Sequence, residues 1–246
     1  MTFQVLHCPD SFDLLRGSGE KVFDVVITDP PYSEHVQENL RSGSITKGIP
    51  KYELDFSPLA TSQHVWLKDA LRLTKRWVIS FCALEDFGRF QDLLGKEYVR
   101  GCVWCKPNSM GQLTADRPAT AYEGITCAHP LTTKKRWNGK GSYGIWSANG
   151  TRGKKGRHPN EKPINLCVKL VSLFSERGET ICDPFCGSAA IGEAALLLGR
   201  NYIGLDQNTE WVDKANERLK NIEFGKMSDE YALGLCRLWN NVEEAP

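Results

Sequence analysis

The feature that most constrains the fold of this 246-residue chain is an alternation of short apolar runs with longer stretches of helical periodicity. The runs of strand length are TFQVL at 2–6, VFDVVIT at 22–28, RWVISFC at 76–82, ETIC at 179–182 and NYIGL at 201–205. The helical patterns cover 61–75, 85–94, 163–175, 189–198 and 208–219, and an amphipathic pattern covers 228–240. Because alternating strands and helices form βαβ units, the pattern predicts an α/β fold with a mostly parallel sheet and helices on both faces.

Length and composition predict a single domain spanning 1–246. A chain of this length with 41% apolar and 25% charged residues can bury a full core and is not largely disordered. Residues 33–58 are polar and contain glycine, which predicts a long mobile loop. Residues 107–157 are rich in Gly, Asn, Thr, Lys and Arg, which predicts an inserted target-recognition region within the domain.

The sequence also indicates the compartment. No run approaches the roughly 18 apolar residues that a membrane helix needs, and the start MTFQVLHCPD lacks a basic region followed by an apolar one. We therefore expect a cytoplasmic protein without membrane contacts, whose nine cysteines are reduced. Cys102, Cys105, Cys127 and His129 have a spacing that a zinc ribbon could use, but the cysteines lie in strand-like runs typical of small buried residues, so we predict no metal.

Positive charge is concentrated in one part of the chain, although the formal net charge is only +1. Residues 134–157 include eight basic side chains and no Asp or Glu; these are Lys134, Lys135, Arg136, Lys140, Arg152, Lys154, Lys155 and Arg157. Such a patch suits the phosphates of a nucleic acid. A solvated charged loop explains the same composition, and this feature alone does not decide between the two.

The motif D-P-P-Y directly follows the apolar run 22–28. Ligands of parallel sheets bind beyond the carboxyl ends of the strands, so the motif is expected at the site of chemistry. There the Asp29 carboxylate can accept one N–H, the carbonyl of Pro30, held by Pro30 and Pro31, can accept a second, and Tyr32 offers a flat ring. These groups suit an exocyclic aromatic amine, whose lone pair becomes nucleophilic when both hydrogens are held out of conjugation. The alternative is a simple strand-ending turn.

A second motif, D-P-F-C-G-S-A-A at 183–190, again joins a strand to a helix. Gly187 permits close backbone approach, and the small residues after it let a ligand sit at the helix N-terminus. Asp206 follows Asp183 by 23 residues at the end of the next strand, a spacing at which an acid can bind ribose hydroxyls. The pair predicts a pocket for an adenosine-containing cofactor; two ordinary turns are the alternative. The sequence G-K-G-S-Y-G at 139–144 lacks the strand and helix of a dinucleotide fingerprint, and no Walker-type loop occurs.

With a third motif, H-P-N-E-K-P at 158–163, the chain resembles the permuted, or beta-class, S-adenosylmethionine-dependent DNA amino-methyltransferases. In that family the D-P-P-Y motif precedes the cofactor motif, and an H-P-T-E-K-P element lies just before the cofactor strand, as it does here. The resemblance implies a Rossmann-like methyltransferase fold with a mostly parallel, seven-stranded sheet that carries an antiparallel edge hairpin. It further implies S-adenosylmethionine as cofactor and double-stranded DNA as partner, and it leaves a homodimer open.

The resemblance also assigns roles to residues. It implies that Asp29, Pro30, Pro31 and Tyr32 hold a base flipped out of the duplex. The residues implied to line the cofactor pocket are Asp10, Asp29, Lys162, Asp183, Phe185, Gly187, Ser188 and Asp206. The chain departs from the family at two places: Cys8-Pro9 stands before Asp10 where a glycine is usual, and Ala189-Ala190 replaces a Gly-Thr pair in the cofactor loop. The second departure could loosen cofactor binding.

Target and DNA contacts follow from the same resemblance. Family members with Asp in the first motif position mostly act on adenine N6, so we predict an adenine-N6 methyltransferase. A cytosine-N4 methyltransferase, an enzyme acting on RNA and an inactive DNA-binding relative remain alternatives. Methylation at cytosine C5 is not expected, because that chemistry needs a nucleophilic cysteine, which in the family typically follows a proline, and no Pro-Cys occurs in the chain. The basic residues predicted to bind DNA are Lys134, Lys135, Arg136, Lys154, Lys155 and Arg157.

Overall fold

The computed structural model describes residues 2–17, 19–32, 65–111, 116–151 and 161–233. The strands are β1 (Phe3–His7), β2 (Val25–Thr28), β3 (Val78–Cys82), β4 (Tyr98–Cys105), β5 (Tyr122–Ala128), β6 (Ile145–Ser147), β7 (Thr180–Asp183) and β8 (Asn201–Asp206). The α-helices are α1 (Ser11–Gly17), α2 (Trp66–Leu73), α3 (Phe87–Leu94), α4 (Ile164–Phe174), α5 (Ala190–Leu197) and α6 (Thr209–Lys220). Residues 229–233 are also helical.

The strands of the described residues form one sheet in the order β1-β8-β7-β2-β3-β5-β4-β6. Every neighbouring pair is parallel except the two pairs that include β5, which runs against both β3 and β4. The α/β fold with a mostly parallel sheet is therefore confirmed. The strand count is eight rather than the expected seven, because the short β6 adds in parallel outside β4, and the antiparallel β4–β5 pair lies one strand inside the edge.

The ligand crevice of this sheet lies between β2 and β7. These strands are parallel neighbours in the sheet. Along the chain β7 is followed by β8, which lies on one side of this pair, and β2 is followed by β3, which lies on the other side. Such a switch in direction opens a crevice at the carboxyl ends of the strands. Asp29 immediately follows β2 and Asp183 is the last residue of β7, so the two sequence motifs meet at this crevice.

Alternate side chains of the strands pack against helices on opposite faces. On β2, Val25 and Ile27 join the core that contains α4, α5 and α6, whereas Val26 joins the core that contains α1, α2 and α3. All three side chains are completely buried, as expected for a parallel strand covered on both sides. The prediction of helices on both faces is confirmed.

The reversed direction of β5 divides the predicted inserted region. Loops after β4 and β6 lie at the carboxyl edge of the sheet with Asp29, whereas the segment after β5 starts at the opposite edge. The range 107–157 also supplies two strands of the sheet, β5 and β6, so it is not an insertion outside the core fold. The segment that follows β5 and the segment that follows β6 therefore start at opposite edges of the sheet.

Most predicted elements occur near their expected positions, and the differences are local. The predicted helix at 85–94 begins with a 3-10 turn, Leu84–Asp86, before α3. The short α1 and the strands β4, β5 and β6 were not predicted as elements, because each lies in sequence interrupted by glycine or polar residues. The predicted loop at 33–58 lies outside the described residues, as do 61–64 of one predicted helix and 234–240 of the last.

The cysteines in strand-like runs are part of the sheet. Cys102 and Cys105 are three residues apart on β4 and therefore project from opposite faces, whereas the sulfurs of Cys102 and Cys127 on β5 are 3.7 Å apart. Within the described ranges no group of three potential ligands is placed to hold a metal ion. No helix among these residues is long and apolar enough to cross a membrane.

Candidate active site

Asp29 lies at the carboxyl end of β2 with part of its carboxylate unsatisfied. Among the described residues the buried Oδ1 atom has no hydrogen-bond partner, whereas Oδ2 is 2.8 Å from the ammonium Nζ of Lys162. Leaving a buried acceptor without a donor costs about 1–3 kcal/mol. An acceptor in this position indicates a place where a ligand N–H can bind.

A second carboxylate, Glu123 on β5, completes an ion cluster around this site. The Nζ atom of Lys162 is 2.9 Å from Glu123 Oε2, and the Tyr32 hydroxyl donates to the same oxygen at 2.6 Å. Lys106, which directly follows β4, pairs with Glu123 Oε1. The cluster thus contains two carboxylates and two ammonium groups, and it connects the D-P-P-Y motif with β4, β5 and the segment before α4.

The pKa values of the two carboxylates in this cluster are shifted in opposite directions. Burial raises the pKa of Asp29 to about 6, with Lys162 opposing and Glu123 reinforcing the increase. For Glu123 the effect of burial is outweighed by Lys162 and Lys106, which lower its pKa to about 2. Burial acts to lower the pKa of Lys162, but the two carboxylates raise it above its usual value. Lys162 and Glu123 are therefore charged at neutral pH, and the charge of Asp29 is the most easily changed.

Aromatic rings surround the Lys162 ammonium group. Its Nζ atom lies 4.8 Å from the centroid of Phe81 and 5.8 Å from the centroids of both Trp104 and Tyr32. Cation–π attraction of this kind contributes about 0.5–2 kcal/mol, more where the cation is desolvated. The rings therefore help to fix a buried cation beside Asp29, and Tyr32 is half-buried with its hydroxyl already anchored to Glu123.

The other motif aspartate, Asp183, is turned into the fold. Thr28 Oγ1 donates to its Oδ1 at 2.6 Å, the Phe185 backbone N–H donates to the same atom at 3.2 Å, and the Tyr202 hydroxyl donates to Oδ2 at 3.3 Å. The residue is buried, and burial raises its pKa to about 7 despite these hydrogen bonds. Asp183 therefore links the carboxyl ends of β2 and β7 to the side chain of Tyr202 on β8.

The loop that follows Asp183 is held by Asp206 at the end of β8. The Gly187 N–H donates to Asp206 Oδ2 at 2.9 Å, and the Asn208 N–H donates to Oδ1 at 2.9 Å. Gly187 has φ +48° and Ala189 has φ +58°, so two residues of one short loop adopt the left-handed conformation. This conformation is usual for glycine and costs a non-glycine residue about 1–3 kcal/mol. The Ala189 position, where the resembling family has glycine, is thus locally strained.

The N-terminal segment and a T-shaped aromatic pair complete this end of the crevice. Ser11 Oγ donates to the Pro184 carbonyl at 2.8 Å, which brings the exposed Asp10 next to the cofactor loop. Phe185 is half-buried and packs edge-on against Trp66 with ring centroids 5.5 Å apart. Asp10, Phe185, Gly187 and Asp206 therefore converge at the carboxyl edge.

Ser188 is fixed by residues distant in sequence. Its hydroxyl donates to Glu161 Oε2 at 2.9 Å, and Arg218 Nη1 donates to both the Ser188 carbonyl at 2.9 Å and Glu161 Oε2 at 3.1 Å. Arg218 Nε also donates to Glu193 at 2.6 Å. A buried carboxylate from the H-P-N-E-K-P motif and an arginine of α6 thus hold the cofactor loop in place.

Comparison with known proteins identifies the family. The family described as DNA methylase, whose model covers N6 and N4 methyltransferases, matches residues 23–217. The chain belongs to the DNA methylase family. It is 26% identical to the type II methyltransferase M.HinfI of Haemophilus influenzae over 87% of this chain and 67% of that protein, and 25% identical to the type II methyltransferase M2.DpnII of Streptococcus pneumoniae over 88% and 89%.

Solved structures agree with this fold. The complex of M1.HpyAVI with S-adenosylmethionine superposes with a TM-score of 0.64 at 21% identity, over 89% of this chain and 100% of that one. The PvuII cytosine-N4-specific DNA methyltransferase superposes with a TM-score of 0.66 at 14% identity, over 96% and 92%. At these identities the likeness concerns the fold. Together with the family match, it confirms the predicted fold, family and cofactor: this DNA methylase is an S-adenosylmethionine-dependent DNA methyltransferase.

The donor set at the crevice of this DNA methylase fits its cofactor. Two half-exposed groups, the Asp206 carboxylate and the Phe185 ring, suit ribose hydroxyls and an adenine ring, and Asp10 lies nearby. Asp29, whose Oδ1 has no hydrogen-bond partner among the described residues, follows β2 at the same edge of the sheet. Two predicted cofactor residues contact protein groups instead. Among the described residues, the Asp183 carboxylate accepts hydrogen bonds from Thr28 and Tyr202. Lys162 pairs with the Asp29 and Glu123 carboxylates.

Three of the six predicted DNA-binding residues lie in the described part of the chain. Lys134, Lys135 and Arg136 are exposed in the segment after β5, and Arg136 pairs at 3.3 Å with Glu179, which precedes β7. They therefore lie at the edge opposite Asp29, so their position does not support a role in DNA binding at the active site. Lys154, Lys155 and Arg157 lie outside the described residues.

Four residues of the site escaped the sequence analysis as individual candidates: Lys106, Glu123, Glu161 and Arg218. Glu123 is the second residue of β5, whose other residues carry no charge, and Lys106 directly follows β4. A charge next to a strand-like run was therefore the signal available in the sequence. Glu161 is part of a recognised motif, but its contact with Ser188 depends on folding. Arg218 lies in a predicted helix with many charged neighbours, so nothing in the sequence distinguishes it.

Proposed function

We propose that this enzyme methylates the exocyclic N6 of adenine in double-stranded DNA by direct in-line transfer. The observation that carries the proposal is the buried Oδ1 of Asp29, which has no hydrogen-bond partner within the described ranges; Asp29 follows β2, the parallel neighbour of the strand that precedes the cofactor loop. A carboxylate oxygen at this position can accept an N–H from an aromatic amine. Methyl transfer to such an amine requires no covalent bond to the enzyme.

Residues of the D-P-P-Y motif would prepare the amine. Asp29 Oδ1 accepts one N–H of the amino group and the Pro30 carbonyl accepts the other, which withdraws the nitrogen lone pair from the ring. Pro31 restricts the backbone between these acceptors and Tyr32, whose ring stacks on the base. Because the amino group of adenine lies inside the duplex, the base must be flipped out, at a cost of a few kcal/mol. Stacking on Tyr32 would offset part of that cost.

The cofactor would be held by residues of the neighbouring strands. S-adenosylmethionine supplies an electrophilic methyl group on a positively charged sulfur. We assign its ribose hydroxyls to the carboxylate of Asp206 and its adenine to Asp10 and Phe185. Gly187 and Ser188 would let the backbone of the loop approach the cofactor closely. Asp183 would act indirectly by shaping the loop, and Lys162 would orient Asp29 in place of contacting the cofactor.

DNA would approach the carboxyl edge, where the loops after β4 and β6 flank Asp29. A reciprocal pair of hydrogen bonds joins these loops, since the Asn108 side chain donates to the Gly150 carbonyl at 2.9 Å and accepts from the Gly150 N–H at 2.8 Å. We propose that the joined loops carry target recognition. Phosphate contacts by Lys154, Lys155 and Arg157 remain a prediction of the sequence.

Product identification tests the target. The protein is incubated with isotopically labelled S-adenosylmethionine and duplex DNA from a host without adenine or cytosine methylation, and the DNA is digested to nucleosides. We expect the label in N6-methyladenine. Label in N4-methylcytosine would overturn the adenine assignment, and transfer to RNA but not to duplex DNA would overturn the choice of substrate.

Asp29→Ala tests the catalytic assignment. We expect methyl transfer to be abolished while calorimetry still detects binding of S-adenosylmethionine, because the cofactor residues lie on other strands. Asp92→Ala, a change at an exposed position of α3, is the control and should transfer at the wild-type rate. Transfer by Asp29→Ala at the rate of that control would refute the assignment.

We further propose that the enzyme works in the cytoplasm and that it forms a homodimer. Analytical ultracentrifugation at micromolar concentration, with and without DNA, measures its mass directly. A monomer under both conditions would contradict the dimer.

A further inference from the structure

Glu123 occupies a central position among the charged groups beside Asp29. It receives hydrogen bonds from the Tyr32 hydroxyl at 2.6 Å and the Lys162 ammonium at 2.9 Å, and it pairs with Lys106 through its other oxygen. Its side chain is only 16% exposed. These contacts join a strand of the sheet, two loops and the D-P-P-Y motif.

The sheet register explains how Glu123 reaches this position. It pairs with Trp104 across the β4–β5 ladder, so its side chain lies on the same face as the Trp104 ring. Lys106 follows two residues after Trp104 and therefore projects to the same face at the end of β4. The carboxylate is thus held by rigid elements of the sheet, which favours an ordered arrangement at the active site.

The charges of this cluster balance only when Glu123 is present. Asp29 and Glu123 offset Lys162 and Lys106, and a buried charge that loses its partner is costly. If Glu123 were neutral, Lys162 would have Asp29 as its remaining carboxylate partner. The ammonium group would then compete more strongly with a substrate amine for Asp29.

We propose that Glu123 is a positioning residue for methyl transfer, which orients the Tyr32 ring and shares Lys162 so that an oxygen of Asp29 stays available to the target amino group. The inference rests on the proposed function, because it assumes that Asp29 and Tyr32 hold the base. In this role Glu123 acts through its contacts with Tyr32, Lys162 and Lys106. Its effect should therefore appear in the rate of transfer and not in cofactor affinity.

Glu123→Gln tests the role of the charge with little change of shape. We expect the single-turnover rate of methyl transfer to fall about 10- to 100-fold, the range that a misplaced reacting group can cause. The dissociation constant of S-adenosylmethionine, measured by calorimetry, should stay within about twofold. Tyr32→Phe keeps the ring but removes its bond to Glu123 and should lower the rate less. The double variant should be about as slow as Glu123→Gln, because the two groups act through one contact.

The pH dependence gives a readout that a purely structural role would not change. Asp29 is influenced by Lys162, Glu123 and Lys106, and the carboxylate of Asp183 also interacts with it. Because the negative charge of Glu123 raises the pKa of Asp29, the neutral glutamine should lower it. If transfer requires ionised Asp29, the acidic limb of the rate–pH profile should move to lower pH in Glu123→Gln.

Glu179→Gln is the matched control. Glu179 is 14% exposed and pairs with the cations Arg76 and Arg136, but it lies at the opposite edge of the sheet. This variant should lose stability while its rate at saturating substrate and its rate–pH profile stay as in wild type. Labelling of tyrosine Cζ with carbon-13 supplies a measurement without DNA: the Tyr32 resonance, identified by its loss in Tyr32→Phe, should shift in Glu123→Gln and not in Glu179→Gln.

Two results would overturn the inference while leaving the proposed function intact. One is a folded Glu123→Gln variant with the rate and pH profile of the Glu179→Gln control. The other is a Tyr32 resonance unchanged by Glu123→Gln. By contrast, a wild-type protein that transfers no methyl group to duplex DNA would contradict the proposed function itself, so the two failures are distinguishable.

Discussion

Asp29 and Asp183 occupy equivalent places in neighbouring parts of the molecule, yet their environments differ. Each stands at the carboxyl end of a buried parallel strand and each is followed by proline. All hydrogen bonds of Asp183 are made within the fold, with both of its oxygens accepting, whereas Asp29 Oδ1 has no donor in the described part of the chain. The comparison indicates that the same motif position can serve architecture on one strand and chemistry on the next.

The largest effect should come from Asp29→Asn. The side chain of asparagine would place either an N–H donor or a carbonyl oxygen, a weaker acceptor than a carboxylate, where the target amino group must be held. We therefore expect the transfer rate to fall about 100- to 1000-fold. The free energy of unfolding should change by less than about 1 kcal/mol, because Lys162 retains Glu123. Single-turnover kinetics and urea titration measure the two quantities. Substantial loss of stability with normal transfer would assign Asp29 the structural role instead.

The reverse pattern should hold for Asp183→Ala. This change leaves the donors of Thr28, Phe185 and Tyr202 without their acceptor inside the core, and we expect a loss of about 2–4 kcal/mol in the free energy of unfolding. Binding of S-adenosylmethionine should weaken because the loop is no longer fixed. At saturating cofactor the transfer rate should recover to within about tenfold of wild type. A rate that cofactor cannot restore would show that Asp183 takes part in the chemistry.

A pH experiment separates the two aspartates further. Burial raises the pKa of Asp183 from its ordinary value near 3.8 to about 7. The folded protein therefore holds this proton more tightly than the unfolded chain, and the stabilisation is complete below about pH 3.8 and is lost as pH rises through about 7. Asp183→Asn cannot titrate, so the stability of wild type relative to this variant should decline between about pH 4 and 7 and stay level above that range.

Urea titrations of both proteins across that range provide the measurement. Asp29, whose pKa is raised to about 6, is present in both proteins, so its contribution cancels in the difference except for its Coulombic interaction with Asp183. A difference that stays constant or grows with pH would contradict the raised pKa of Asp183.

The sequence predicted that the two motifs lie at the ends of strands, because an apolar run of strand length can be recognised locally. The apolar run before Asp29 and the strand before Asp183 identified both motif positions, and their pairing followed from the expected parallel sheet. The ion cluster could not be predicted in the same way. Glu123 is 17 residues from Lys106 and 39 from Lys162, and only the fold brings them together.

The basic segment illustrates a different limit. Lys134 and Arg136 are close in sequence to Lys154 and Arg157, so composition grouped them as one surface. The direction of β5 carries the first two to the edge opposite Asp29, and no composition argument contains a strand direction. Charge clustering predicted a property of the segment but not its position relative to the active site.

The smallest expected effect concerns the loop after Asp183. Ala189 is completely buried with φ +58° and ψ +42°, a conformation that glycine adopts without strain. Ala189→Gly should relieve about 1–2 kcal/mol of strain, reduced by about 0.4–1 kcal/mol because glycine gives the unfolded chain more freedom. We therefore expect a net gain of about 0.5–1 kcal/mol in the free energy of unfolding.

Ala190→Gly is the matched control, because Ala190 begins α5 with ordinary helical geometry and should lose about 0.5–1 kcal/mol on the same substitution. Opposite signs for two adjacent alanines would establish that strain, and not the loss of a methyl group, governs the loop. If Ala189→Gly also tightens binding of S-adenosylmethionine, the strained alanine limits cofactor affinity. Loss of stability in both variants would mean that packing of the Ala189 methyl group outweighs its backbone strain, and that the loop depends on side-chain contacts as Asp183 does.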